Sequence, residues 1–322
     1  MRDDFKVGDH VEWNSEAGMV TGTIIKKNSF HLLARPVVRY QVVEDNRAEY
    51  PVSVLCDTLG VSLSGYYAWR KRPMSQHCRE DGQLADHIQE AYHANRQVYG
   101  SPRIHAELRA QGISCSRKRV ARLMREQGLC ARRRVHRTRT TSSEPGARIA
   151  PNLLNQDFTA THPNQKWTGD ITAVWTYEGW LYLAAVLDLF SRRVIGWAMG
   201  SSQDETLIEA AFRMALLGRH PRAGLLFHSD RGSQYTSDAY RSLLADVGVT
   251  TSMSRTGNCY DNAVTESFFA TLKGECVERA SFQTGGQARQ TIFEFVECFY
   301  NRVRRHSSLG YISPVAYEQS IC

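Results

Sequence analysis

Hydrophobic and polar residues follow three different rhythms along the chain. Over residues 1–45 they alternate in short runs (FKVGDHVEW, MVTGTIIKK and VVRYQVVED), with Gly8, Gly18 and Gly22 at turn positions, which predicts a small β module. From Pro51 the spacing becomes helical. VSVLCDTLGVSLSGYYAWRKR reads as two short helices broken at Gly60-Val61-Ser62, the outline of a helix-turn-helix. A second unit follows, with helical spacing over 84–93, a helix over 102–108 ended by Gly112, and a helix over 117–127 capped by Ser116 and closed by Gly128. In that last helix Val120, Leu123 and Met124 share one face, which leaves Arg117, Lys118, Arg122 and Arg125 elsewhere as a basic face for phosphate.

After an aperiodic stretch rich in Arg, Ser, Thr, Gly and Pro, ordered patterns resume beyond Pro163. Residues 166–176 alternate as a strand, WLYLAAVLDLF is a near-continuous apolar run suited to a strand covered on both faces, and RRVIGWAMG follows a short turn. A helix over 204–217, a strand GLLFHSD, a helix over 237–246, a strand VTTSMS and a long helix over 260–279 complete the series. Three hairpin-connected strands followed by α-β-α-β-α is the element order of a ribonuclease-H-like α/β fold, a mixed five-stranded sheet with helices. The predicted organisation is a β module (1–45), a helical region (46–130), a basic linker (131–160), the α/β core (161–280) and a helical extension (281–322).

Composition narrows the class. With 42% hydrophobic and 23% charged residues over 322 positions, the chain is neither disordered nor fibrous. Its apolar stretches are far short of the ~20 residues of a membrane span, and MRDDFKVGDH lacks a signal-peptide pattern, which predicts a cytoplasmic protein. The eight cysteines include no CxxC pair, which argues against a disulfide framework or a standard zinc site. Net charge is +7, but residues 96–140 carry thirteen Lys or Arg against Glu107 and Glu126, so that block holds +11 and the remainder −4. Clustered cations suit a phosphate backbone, and an acidic remainder suits a metal site. In the linker, Arg132, Arg133, Arg134, Arg137 and Arg139 have the composition to track DNA.

Three carboxylates stand out. Asp170 lies inside the first core strand, an unfavourable place for a charge unless a cation compensates it. Asp230 closes the strand GLLFHSD, and Glu266 lies on the long helix with Val264, Phe268 and Ala270 free to face the core. Because the first and fourth strands of such a sheet are neighbours, the three can converge across 59 and 35 intervening residues. Convergent carboxylates are hard oxygen donors, suited to Mg²⁺ or Mn²⁺. Two such ions about 4 Å apart activate an attacking oxygen and stabilise a leaving one in phosphoryl transfer.

HSDRGSQYTS, the 35-residue Asp-to-Glu spacing, GNCYDNAVTESFFATLK and YNRVRRHSSLGYISP resemble the catalytic frame, open reading frame B, of the bacterial IS-three family of insertion-sequence transposases, whose integrase core is shared with retroviral integrases. YGSPRIHAEL and SRKRVARLMREQGL resemble that family's helix-turn-helix, and the similarity runs over about residues 49–316. The resemblance implies that Asp170, Asp230 and Glu266 form a DDE triad, catalytic and metal-binding, using Mg²⁺ or Mn²⁺ with two ions per site. It also implies cleavage and strand transfer on double-stranded DNA, both terminal inverted repeats and target, with a circular intermediate. A homo-oligomer on DNA, an upstream-frame partner protein and association with the bacterial nucleoid follow from the same comparison. FKVGDHVEWNSEAGMVTGTIIKK resembles the start of the hypervirulence-associated Tudor-like domain over about residues 5–43. That replaces the upstream heptads the family leads one to expect, and motivates an alternative, a DNA-binding regulator of transposition lacking full activity. A ribonuclease H or junction nuclease would share the carboxylates without needing the +11 block.

Around the triad, Lys273 lies seven residues beyond Glu266 on one helix face, about 10.5 Å along the axis, where its ammonium can reach a phosphodiester. Asn262, four residues before Glu266, can orient it, contact a phosphate or simply start the helix. Arg119 joins Arg117, Lys118, Arg122 and Arg125 as a DNA-contact candidate, as do Arg302, Arg304, Arg305 and His306 after the last core helix. His228 reads as a packed strand histidine and Asp188 as a hairpin or ion-pair residue, while Glu275, Glu278, Glu294 and Glu297 read as solvated helix positions. Trp167, Trp175, Trp180 and Trp197 read as core, and Tyr235 and Tyr260 as residues able to stack on a distorted terminal base.

Overall fold

The computed structural model describes residues 10–15, 18–23, 36–72, 75–131, 149–255 and 259–321. The contacts divide the chain into two compact units, Met1–Glu80 and Asp81–Cys322.

In the first unit β1 (His10–Ser15) and β2 (Gly18–Thr23) pair as an antiparallel hairpin. The third expected strand is instead a helix, α1 (Pro36–Asn46). Its β-branched valines suggest extended chain, but Tyr40 and Val43, three apart, meet α2 (Val52–Thr58) and α3 (Leu63–Lys71) around Cys56 and Tyr66, and tertiary burial overrides the weak local preference. Ser62 caps α3 by accepting a hydrogen bond from Gly65 N.

The helical pattern continues in α4 (Gln76–Ala94), α5 (Ser101–Ala110) and α6 (Arg117–Glu126). Ser116 accepts from Arg119 N, and Gly112 and Gly128 take positive φ at the ends of α5 and α6, as the spacing predicts. α5, α6 and most of α4 belong to the same compact unit as the sheet. Leu84, Ile88, Ile104, Leu108, Val120 and Leu123 share one hydrophobic cluster with sheet residues Val174, Leu183 and Leu187.

The sheet comprises β3 (Lys166–Thr176), β4 (Gly179–Asp188), β5 (Val194–Gly200), β6 (Leu226–Ser229) and β7 (Thr250–Met253). Its spatial order is β5-β4-β3-β6-β7, so the first and fourth strands are neighbours, as expected. β3, β4 and β5 run antiparallel, and β6 is parallel to β3 and to β7. One face is covered by α7 (Glu205–Arg219), the short α8 (Ser233–Thr236) and α9 (Asp238–Asp246), around Trp167, Phe212, Phe227 and Tyr240. The other face receives α10 (Ala263–Glu275) and α11 (Gly285–Phe293), through Phe268, Leu272 and Ile292. α11 runs into a π-helical segment, Glu294–Tyr300, after which Asn301 clamps β5: Val194 N donates to its side chain, which in turn donates to Val194 O. The chain ends in α12 (Pro314–Ile321). Among the described residues no helix is long and apolar enough to cross a membrane.

Candidate active site

Alternation along β3 sends Trp167 into the α7–α9 side, while Thr168 and Val174 face α10 and α11. Asp170 shares the parity of Thr168 and sits half-buried, with one carboxylate oxygen accepting from Ile171 N at 2.7 Å. On the neighbouring strand Thr168 pairs with His228, two residues before Asp170 and Asp230 respectively, and Asp230 follows directly on the end of β6. Gly232 N fixes Asp230 by donating to its Oδ1 at 3.0 Å. Gly169 is constrained too: a Cβ would come within 2.8 Å of the Phe227 ring on β6. Both aspartates act electrostatically on Tyr235, whose hydroxyl is raised well above its ordinary range, first by burial and then by the Asp170 charge, with Asp230 adding to it.

Glu266 is exposed in the first turn of α10, and the buried residues around it set where that turn lies. Thr168 Oγ1 donates to Asn262 Oδ1 at 2.8 Å and meets Thr265 Oγ1 at 2.9 Å, and Thr265 Oγ1 donates to the same Asn262 oxygen. The helix start is thereby tied to the strand bearing Asp170, two residues from Asp170 on one side and one residue from Glu266 on the other. Just before it, the fully buried Asp261 accepts from Arg255 N and the Arg255 guanidinium, Asn152 and Gln156. Arg255 holds that carboxyl well below the usual carboxylate range despite its burial. Sequence reasoning passed over Thr168 and Asp261. The Asp-Asn pair preceding the glutamate helix was the available signal, since short polar side chains at that position satisfy exposed helix N–H groups or neighbouring turns.

The donor chemistry fits a hard divalent cation, since all three groups offer carboxylate oxygens, with Asp170 on β3 and Asp230 just past the end of the adjacent β6. Among the described residues, however, no group of three or more His, Cys, Asp or Glu is gathered closely enough to hold a metal ion.

Other candidates are placed as follows. Asn262 is buried within the Thr168–Thr265 network, so the structure gives it a bonding role inside the fold. Lys273 is half-buried in the last turn of α10. On α6, Arg117, Lys118 and Arg125 are exposed, but Arg119 and Arg122 bind Asp81 at 2.6 Å each, so the free basic face is narrower than the helical pattern suggests. Arg132, Arg133, Arg134, Arg137 and Arg139 lie outside the described residues. Beyond the core, Arg304 is buried in a two-bond pair with Glu275, and Arg305 binds Glu107. These replace two DNA-contact expectations with ion pairs, and Glu275 is accordingly no solvated residue.

His228 is buried between Ser252 and Ser254, and burial pushes its imidazole down to about 4. Asp188 is buried and paired with Arg219 at 3.1 Å, with Asn164 N and Phe190 N also donating to it. The tryptophan expectation divides. Trp167 is fully buried, whereas Trp175 and Trp180, 56% and 53% exposed, stack edge to face beside the hairpin tip between β3 and β4. Alternation put both on one strand face, but the sheet extends beyond its covering helices there. Tyr235 is buried in the cluster on the α7–α9 side and is not a surface platform; the Tyr260 side chain lies outside the described residues.

Comparison with known proteins gives concordant matches. An integrase core domain matches residues 160–259, a further integrase core domain 247–314, and an HTH-like domain 79–137. The chain is 46% identical over 266 residues to the insertion element IS600 uncharacterized 31 kDa protein of Shigella sonnei, covering 82% of this chain and 97% of that protein. It is 42% identical over 285 residues to the transposase InsF for insertion sequence IS3A of Escherichia coli strain K12, covering 87% and 98%. A more distant likeness, with 15% identity and a TM-score of 0.36, extends to the HTLV-2 integrase catalytic core domain in complex with magnesium, over 45% of this chain and 92% of that one.

Proposed function

The chain belongs to the IS3 family of insertion-sequence transposases, and on that premise we propose that Asp170, Asp230 and Glu266 are its catalytic triad, acting on phosphodiesters at the ends of a mobile element. What supports the assignment is the register of β3 against β6 together with the Thr168–Asn262–Thr265 tie, which bring all three carboxylate-bearing elements to one end of the sheet. Asp170, Asp230 and Glu266 would hold Mg²⁺ or Mn²⁺, two ions per site. When bound, such ions supply Lewis acidity toward the attacking and leaving oxygens of an in-line displacement.

The chain's own residues do the remaining work. Ile171 N and Gly232 N hold one oxygen of each aspartate, leaving the side chains few alternative rotamers. Asn262 and Thr265 position Glu266 rather than touching DNA. Lys273 reaches a phosphodiester from further along α10, and Arg117, Lys118 and Arg125 contact the DNA backbone from α6. The DNA is double-stranded, terminal inverted repeats and then target, with a circular intermediate. The protein works as a homo-oligomer with an upstream-frame partner, associated with the nucleoid.

A plasmid assay carrying element ends tests the triad. Asp170→Asn, Asp230→Asn and Glu266→Gln are each expected to lower cleavage and strand transfer by a factor on the order of 10³, because several kcal/mol of transition-state stabilisation is lost. Chelation of divalent ions should have the same effect. Near-normal strand transfer by any of the three folded variants sinks the assignment.

A further inference from the structure

Residues 152–157 form neither helix nor strand and precede the integrase core match, which begins at residue 160. They nevertheless bind the supports of all three triad carboxylates. Toward Glu266, Asn152 is held from both ends: its Oδ1 accepts from Asn155 N at 2.8 Å, and its Nδ2 donates to Asp261 Oδ2 at 2.9 Å. Gln156 Nε2 donates to the other Asp261 oxygen at 3.0 Å. Asn155 and Gln156 take φ 45° and 63°, and two consecutive non-glycine residues in the left-handed region persist only where surrounding contacts hold them. Toward Asp230, Leu153 N and Leu154 N both donate to Ser252 Oγ on β7, at 2.9 and 3.1 Å. Those two N–H groups fill the acceptor sites of the hydroxyl, so its own proton goes to His228 Nδ1, 2.9 Å away. The neutral ring then carries its proton on Nε2, which donates to Ser254 Oγ at 3.1 Å, and Ser254 Oγ donates to Ser229 O, directly before Asp230. Toward Asp170, Asp157 pairs with Lys166, the first residue of β3, at 2.8 Å.

The buried Asp261 charge is already met by Arg255, whose backbone N and guanidinium both donate to it. The two amides of Asn152 and Gln156 add no charge. What they add is a fixed separation between this segment and the start of α10, while Ser252 fixes the same segment against β6 and β7. Metal-binding carboxylates have to be held to within about 0.5 Å, and neither aspartate strand nor glutamate helix sets that distance to the other by itself. We propose that Asn152 and Gln156 are positioning residues of the active site, acting through Asp261 to hold the helix of Glu266 against the strand end of Asp230, with Ser252 and His228 as the second arm of the same brace. The metal-binding role of Glu266 and Asp230 rests on the catalytic reading above; the brace itself rests on the hydrogen bonds.

The test uses the full chain at a temperature where circular dichroism shows each variant folded. Mn²⁺ binding is read from the electron paramagnetic resonance signal of the free ion, duplex binding from the anisotropy of a fluorescein-labelled 30-base-pair DNA in chelator, and turnover from plasmid cleavage. Asn152→Ala with Gln156→Ala leaves Asp261 its bonds from Arg255, so the fold is retained. Groups that hold metal ligands in place typically carry about 10–100-fold in affinity or activity, so this double variant is expected to lose about tenfold in both Mn²⁺ affinity and kcat. Duplex affinity and KM should stay within twofold, whereas a segment that only stabilised the fold would lower Tm and leave Mn²⁺ affinity unchanged. Gln156→Glu sets a second carboxylate against Asp261 and should weaken Mn²⁺ binding more than Gln156→Ala does. Adding Asp261→Asn turns that repelling pair into donor and acceptor, and should recover at least half of the loss on a logarithmic scale. Wild-type Mn²⁺ affinity in the double alanine variant overturns the proposal, as does a Gln156→Glu variant no weaker than Gln156→Ala. Glu266→Gln, measured alongside, separates the two readings. If it binds Mn²⁺ as the wild type does, the triad falls and the brace with it; if it loses Mn²⁺ while the double alanine variant does not, the brace alone falls.

Discussion

His306 carries a pH dependence that follows from its position. Burial and then the charges of Arg304, Arg103 and Arg192 push its imidazole down to about 3, and its ring packs edge to face on Tyr300. The folded state therefore keeps it neutral, whereas the unfolded chain takes up a proton near the ordinary value of about 6.5. Because the folded pKa is depressed, its contribution is fully present above about pH 6.5 and declines as pH falls toward 3. Between pH 7 and 5.5 the loss from this residue is about 1.2 kcal/mol. Urea unfolding at the two pH values should show that increment in the wild type and its disappearance in His306→Gln; an unchanged pH slope in the variant assigns the effect elsewhere. Gly169 is a second constraint at this scale. Gly169→Ala drives a methyl into the Phe227 ring in a packed core, with an expected cost of about 1–3 kcal/mol in the same measurement. Asp170 was legible in the sequence because a charge inside an apolar strand demands a partner. The need for glycine beside it was not, because Phe227 is 58 positions away and meets it only through strand pairing.

Among the elements, α10 shows how a helix position is set by a few polar contacts. Asn262→Ala leaves the buried Thr168 and Thr265 hydroxyls short of an acceptor, at a cost of about 1–3 kcal/mol. Its effect on strand cleavage should exceed what partial unfolding explains: at a temperature where circular dichroism shows the variant fully folded, turnover is expected to fall at least tenfold with DNA affinity little changed. Equal turnover would make Asn262 a purely structural residue. The existence and type of this helix, and of α5 and α6, could be read from apolar spacing and caps. α1 could not, because its valines favour strand locally and only the pocket made with Cys56 and Tyr66 selects the helix. Likewise the face of α6 was readable, but the pairing of Arg119 and Arg122 with Asp81, 38 and 41 residues away, was not.

At the scale of the whole molecule, α5 and α6 belong to the catalytic unit. Besides the shared apolar cluster, Arg103 donates to Arg305 O, Arg305 N to Tyr99 Oη, and the Arg305 guanidinium to Glu107. A fragment spanning 81–321 is expected to unfold in one cooperative transition, while 149–321 alone, with the Leu187 and Phe299 side of its core exposed, should aggregate or melt at least 10 °C lower; calorimetry of both checks this. By itself the sequence determined the order and kind of the core elements, the cationic block and the three carboxylates, because periodicity, caps and unusual charges are local properties. Only the tertiary structure decided which cations remain available to DNA, which tryptophans face outward, what ties the start of α10 to β3, and where one compact unit ends. Those depend on residues far apart in the chain meeting at short range, where burial and ion pairing are settled by partners that no local pattern reveals.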